Sequence, residues 1–240
     1  MKLITEFKKS MSILYDAEQI ENPAELGFKS QDWAARSEIV GFAEGRGTTF
    51  FVQHGGRDYV LRHYLRGGLI AKWLQDRYFW TGLSRTRAWQ EWHMLAAMRK
   101  KKLPVPAPVA ACVQLNGVFY RADIMTLRIP QARTLADILT QQPLDKGHWI
   151  ALGAMLRRFH VHGVYHADLN ANNILLDAGG CFYLIDFDRG CFKQRDKVWQ
   201  QKNLARLHRS LDKIKAGSIN LYFDEENWQD MLQGYESVIE

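Results

Sequence analysis

Long apolar runs are missing from this 240-residue chain: no stretch approaches the roughly 18 apolar residues that a bilayer-spanning helix needs. Cysteine is scarce. Cys112, Cys181 and Cys191 form an odd, widely spaced set with no Cys-x-x-Cys, which excludes a disulfide framework and a zinc ribbon and leaves reduced, structural thiols as the expectation. The opening residues are interrupted by Glu6, Lys8, Lys9, Asp16 and Glu18, so a signal-peptide apolar core is lacking and the cytosol is the expected compartment. Neither an internal repeat nor a low-complexity segment occurs. No G-x-x-x-x-G-K-[ST] occurs either, which excludes a Walker-type NTPase.

What is there is a globular composition. With 47% apolar and 24% charged residues the chain is neither collagen-like nor wholly disordered, and it is long enough for one large domain or two small lobes. Lys plus Arg outnumber Asp plus Glu by 32 to 26, a formal +6 with a pI near 9.2. Such an excess favours an anionic partner, whether nucleic acid, an acidic membrane surface or a phosphorylated small molecule, without choosing among them.

The first half reads as β-rich. Residues 38–53 suggest strand, glycine turn, strand, and residues 59–64 another strand. Residues 69–80 and 86–98 suggest helices, the second with Trp89, Trp92, Leu95 and Met98 at helical spacing. LPVPAP (103–108) must be extended, and two strand-like runs flank Asn116-Gly117, a hairpin signal. After about residue 128 helices are expected over 134–141, 146–162, 196–216 and 225–238, with two short strands, 174–177 and 182–186, between them. An α+β chain of two lobes follows, 1–127 and 128–240, with the proline-bounded stretch 127–133 as hinge.

Chemistry concentrates in residues 160–190. His166-x-Asp168 is followed by Asn173 five residues beyond the aspartate, then, after a strand-turn-strand, by Asp186-Phe187-Asp188. This arrangement resembles the catalytic loop and metal-binding segment of protein-kinase-like phosphotransferases. Phosphoryl transfer needs one carboxylate beside the attacking hydroxyl, and a separate carboxylate and amide to hold Mg²⁺ on the nucleotide phosphates. The resemblance implies Asp168 as the hydroxyl-orienting base, His166 as a brace for the loop, and Asn173 and Asp186 as metal ligands. Asp188 stands where protein kinases carry glycine. The glycines of residues 41–50 (Gly41, Gly45, Gly47) lie where a glycine-rich loop would cradle ATP phosphates, although Phe50 replaces the third glycine. The next strand offers Arg62 where that family has lysine. Its expected partner is Glu91.

Other features narrow the resemblance. RHYLRGGL (62–69), HADLNANNILLD, LIDFDRG, the early Trp33 and the late WQQKNLARLHRSL (199–211) together resemble the family of 3-deoxy-D-manno-octulosonic acid (Kdo) kinases, from about residue 30 to the end. That likeness implies a two-lobed protein-kinase-like fold. It also implies transfer of the ATP γ-phosphate to the 4-hydroxyl of Kdo on a lipid A precursor, in lipopolysaccharide core synthesis. ATP and Mg²⁺ would be required, with no nucleic-acid partner. A heptose kinase of the same pathway, or another small-molecule or protein kinase, is the alternative; a protein kinase is disfavoured by the short chain after Asp186 and the missing A-P-E-like segment. A non-catalytic pseudokinase scaffold has only Arg62 in its favour.

From Arg62 to Trp89 six cations (Arg62, Arg66, Lys72, Arg77, Arg85, Arg87) face a single acid, Asp76, with Tyr64, Trp73, Tyr78, Phe79, Trp80 and Trp89 interleaved. Cations beside amphipathic aromatics suit an anionic lipid headgroup layer, so peripheral association with the cytoplasmic face of the bacterial inner membrane is expected. His160 and His162 lack a carboxylate to complete a metal site and are read as structural. The basic helix 193–215 is read as a solvated face.

Overall fold

A computed structural model describes residues 1–23, 27–29, 32–33, 38–43, 49–66, 76–217 and 221–238. The fold is α+β and protein-kinase-like, sheet-rich first and helical later. The chain divides into two compact units, residues 1–97 with 106–128, and residues 98–105 with 129–240.

The first unit is built on one antiparallel sheet. Its strands are β1 (Leu3–Lys8), β2 (Met11–Asp16), β3 (Ile39–Ala43), β4 (Thr49–His54), β5 (Arg57–His63), β6 (Tyr78–Phe79), β7 (Pro108–Asn116) and β8 (Phe119–Leu127). The order is β1-β2-β7-β8-β5-β4-β3, with β6 on β8. Residues 69–80 are therefore not one helix: 67–75 lie outside the described residues, and Tyr78 and Phe79 are strand, opposite Tyr120 and Phe119. Aromatic pairs facing each other across strands stabilise a sheet, and here they override the helical spacing. β1 and β2 are elements the sequence reading did not include. The β7–β8 hairpin closes one residue later than Asn116-Gly117 suggests: Asn116 pairs with Phe119, leaving Gly117 (φ 59°) and Val118 in the turn. A positive φ at the first central position is the place for glycine in a two-residue hairpin. Tyr59 and Leu61 of β5, Cys112 of β7 and Met125 of β8 join Ile13, Trp33 and Val52 in one buried cluster.

Helix α1 (Arg87–Lys100) buries Trp92, Leu95 and Met98. It ends where Lys102 turns left-handed (φ 55°), with Lys102 N–H donating to Arg99 O at 2.9 Å and Leu103 N–H to Met98 O at 3.0 Å. This is the helix stop usually given to glycine.

The second unit contains α2 (Leu135–Leu139), α3 (Lys146–Val161), α4 (Lys197–Gly217) and α5 (Glu225–Ser237). The small strands β9 (Arg133–Thr134), β11 (Ile174–Leu176) and β12 (Phe182–Leu184) form one sheet, and β10 (Val164–Tyr165) pairs with β13 (Cys191–Phe192). Helices α3 and α5 meet through glycine: a Cβ on Gly153 would collide with the Met231 carbonyl, and one on Gly234 with that of Ile150. Asp145 and Asp224 cap the starts of α3 and α5 by accepting from His148 N–H and Asn227 N–H.

Candidate active site

The second unit ties residues 166–186 into one hydrogen-bonded knot. His166 is buried, and both its ring nitrogens are used. Nε2–H donates to Ile185 O at 2.9 Å, while Nδ1 accepts from Asp168 N–H at 3.1 Å. Burial pushes its pKa below the usual histidine range, so the ring is neutral and fixed in one tautomer. Its ring lies 4.7 Å from that of Phe187, which stacks on Phe159 at 6.0 Å. The buried His166 ring thus ties Ile185 to the backbone of Asp168.

Asp168 and Asn173 are placed by the turn between them. Asn170 Oδ1 accepts from Asn172 N–H (2.9 Å) and Asn173 N–H (3.2 Å), which starts a short helical turn over Ala171–Asn173. Asn170 Nδ2 and Asn173 Nδ2 both donate to Asp168 O, at 3.0 and 2.9 Å. Ile185 clasps the loop from the other side, its N–H donating to Asn173 O at 3.0 Å and its carbonyl accepting from His166. The residue after it, Asp186, is left-handed at φ 60°. Few non-glycine residues adopt that conformation, and its cost is borne here by the bonds around it. The structure therefore brings His166, Asp168 and Asn173 into one network with Ile185, and Asp186 follows Ile185 directly in the chain.

Among the described residues no group of three or more His, Cys, Asp or Glu is arranged to hold a metal. Magnesium does not require one, because it keeps several waters and takes one or two protein oxygens besides phosphate. Asn173 and Asp186 fit that demand. The Asn173 amide nitrogen is committed to Asp168 O, which leaves its oxygen, and Asp186 supplies a carboxylate.

Helix α4 contributes three residues that the sequence reading passed over. Asn203 Oδ1 accepts from His166 N–H at 3.3 Å, and Asn203 Nδ2 donates to His166 O at 2.9 Å. Arg206 donates to Asp168 Oδ1 from Nε at 3.1 Å and also from Nη2. Ser210 Oγ accepts from Ala171 N–H at 3.2 Å. One face of this basic helix is thus a support for the loop. The signal was the 203, 206, 210 spacing beside buried Leu204, Leu207 and Leu211.

In the first unit Arg62 of β5 pairs with Glu91 of α1, which is only 5% exposed. Tyr64 OH donates to the same carboxylate at 2.5 Å and accepts from Arg62 Nη2 at 3.3 Å. Gly45 and Gly47 lie outside the described residues. The strands flanking them pair antiparallel, Ala43 opposite Thr49. His160, read as structural, is buried with its Nδ1 2.7 Å from Tyr235 OH.

Comparison with known proteins bears on this geometry. The model of the "Lipopolysaccharide kinase (Kdo/WaaP) family" matches residues 30–235. A "3-deoxy-D-manno-octulosonic acid kinase" of Photobacterium profundum is 40% identical over 224 residues, 93% of this chain and 94% of that protein. Proteins of the same description from Photobacterium damsela subsp. piscicida and Xanthomonas euvesicatoria pv. vesicatoria are 42% and 45% identical. The first match covers 92% of both chains, the second 85% of this chain and 82% of the relative.

Proposed function

The chain belongs to the lipopolysaccharide kinase (Kdo/WaaP) family, and from that premise we propose that it transfers the γ-phosphate of ATP to the 4-hydroxyl of Kdo on a lipid A precursor. It is thus a phosphotransferase with an alcohol group as acceptor, acting in lipopolysaccharide synthesis. The observation that carries the reading is the knot joining Asp168 and Asn173 through His166 and Ile185, with Asp186 the residue that follows Ile185.

In this reading Asp168 accepts a hydrogen bond from the attacking hydroxyl and aligns it with the phosphorus. Asn173 Oδ1 and the Asp186 carboxylate would hold Mg²⁺, whose charge would neutralise the nucleotide phosphates. Arg62, aimed by Glu91 and Tyr64, meets the α- and β-phosphates as a two-pronged donor where a lysine would act as a point charge. The acceptor's carboxylate and phosphates suit the formal +6 charge. Phosphorus–proton correlation NMR of the product tests the acceptor. Coupling to H-4 of Kdo is expected, whereas phosphate on another position, or only on a heptose-bearing acceptor, contradicts the reading.

We further infer that the protein binds the cytoplasmic face of the bacterial inner membrane peripherally, through the first unit. Among the described residues no helix is long and apolar enough to cross a membrane. Tyr64, Tyr78 and Trp89 of the aromatic-basic stretch are buried and belong to packing. Phe79 (59% exposed) and Val118 (66%) are not, and the Phe79 ring packs tilted against Phe119 at 4.9 Å, beside Arg77 and Arg121. Flotation with anionic liposomes should fall in a Phe79→Ser/Val118→Ser variant; unchanged flotation contradicts this surface.

A further inference from the structure

The loop 166–173 carries no Lys or Arg, and its histidine is held neutral by burial. Every main-chain polar group of Asp168 is taken: N–H by His166 Nδ1, and the carbonyl by both Asn170 and Asn173. Only the side-chain torsions of Asp168 remain to be set. Arg206 sets them, with Nε and Nη2 converging on Oδ1. Two donors from one rigid planar group fix the carboxylate's orientation as a single donor would not.

Arg206 is itself launched from a fixed base. One turn before it Asn203, 2% exposed, grips both main-chain groups of His166, and one turn after it Ser210 holds Ala171 N–H. Buried Leu204, Leu207 and Leu211 anchor the same helix. One helix thus holds the loop's backbone at two residues and its carboxylate at a third. The ion pair is 48% and 53% exposed on its two sides. Pairs so exposed stabilise a fold very little, so the contact's consequence lies elsewhere.

We propose that Arg206 is a positioning residue for Asp168, occupying Oδ1 so that Oδ2 is the oxygen presented to the acceptor hydroxyl. The proposal rests on the reading of Asp168 given above. As the acceptor oxygen bonds to the γ-phosphorus, the bridging P–O bond of ATP breaks and ADP departs. The hydroxyl proton passes to Asp168 Oδ2. A guanidinium on the other oxygen fixes the carboxylate's orientation, which suits a loose transition state in which alignment counts for more than early proton removal.

The test uses the full chain with MgATP and a Kdo-bearing lipid A precursor. Arg206→Ala should lose about 10²-fold in kcat, the scale of a misaligned reacting group, with KM for both substrates within about threefold. Arg206→Lys should recover part of the loss. The Arg206→Ala/Asp168→Asn double variant should be no slower than Asp168→Asn alone, because the two act as a unit. The melting temperature of Arg206→Ala should stay within about 3 °C of wild type. Should Arg206→Ala not fold, Arg206→Gln carries the same expectation.

Wild-type kcat in Arg206→Ala, an increase in kcat, a raised acceptor KM with unchanged kcat, or fully multiplicative losses would each overturn the proposal. An Asp168→Asn variant that turns over like wild type overturns the reading of Asp168 itself. An inactive Asp168→Asn beside a fully active Arg206→Ala overturns only the role of Arg206. A readout independent of turnover is the Nε–H resonance of Arg206, identified by its loss in Arg206→Lys. It should shift in Asp168→Asn, and an unmoved resonance contradicts the pairing whatever the acceptor.

Discussion

Each unit contains an arginine bound to a carboxylate, in opposite surroundings. Arg62–Glu91 joins a strand to a helix and is mostly out of solvent, with side chains 21% and 5% exposed; Arg206–Asp168 joins a helix to a loop and is half in water at 48% and 53%. The same chemistry should therefore have different consequences. A buried pair cannot lose one member without stranding the other in a low dielectric, whereas an exposed carboxylate is simply hydrated. The first pair is a structural commitment, and the second leaves a carboxylate reachable by substrate.

The largest effect expected lies in the second unit. Asp168→Asn should lower turnover by at least about 10²-fold while leaving nucleotide binding intact, and Asp186→Ala should abolish both turnover and Mg²⁺-dependent stabilisation by nucleotide. Equal nucleotide stabilisation in Asp186→Ala and wild type would break the assignment.

Next comes Arg62→Ala, which leaves Glu91 buried with the Tyr64 hydroxyl and should destabilise the fold by about 3 kcal/mol in urea unfolding. Arg206→Ala should cost at most about 1 kcal/mol by the same measurement. Similar values for the two would erase the comparison.

The units also differ in pH response. Burial holds His160 of the second unit down to about 4 from the usual 6.5, so it is neutral in both states at high pH. As pH falls below 6.5 the unfolded chain takes up a proton that the folded one refuses, and up to about 3 kcal/mol is lost by pH 4. In the first unit the Asp123 hydrogen bond, 2.6 Å from His63 Nδ1, outweighs burial and raises the His63 pKa. Its contribution is complete below pH 6.5 and fades as pH rises through the raised value. Melting curves against pH should show a shallower acid-side loss in His160→Gln and a smaller alkaline-side loss in His63→Gln. Wild-type slopes in either variant contradict the assigned cause.

Legibility followed sequence distance. Residues 166–186 could be read directly because one loop and one hairpin carry His166, Asp168, Asn173 and Asp186 in order, and local turns such as that of Asn170 fix their spacing. The pairing of Arg62 with Glu91 was readable from one strand and one helix in family order. Arg206 was not, since a contact to a carboxylate 38 positions earlier leaves no local pattern in a helix already rich in cations. β1 escaped because its side chains are mostly exposed and charge-broken, so it shows no clean alternation. Residues 78–79 were misassigned because aromatic spacing fits a helix, while only the distant partners Tyr120 and Phe119 make it a strand.

The most direct test of the central claim is mass spectrometry of a Kdo-bearing lipid A precursor incubated with the purified protein and MgATP, with Asp168→Asn alongside. One added phosphate on the Kdo portion with wild type, and none with Asp168→Asn, is the result the account predicts. An unmodified acceptor with wild type, or equal modification by both proteins, would contradict it.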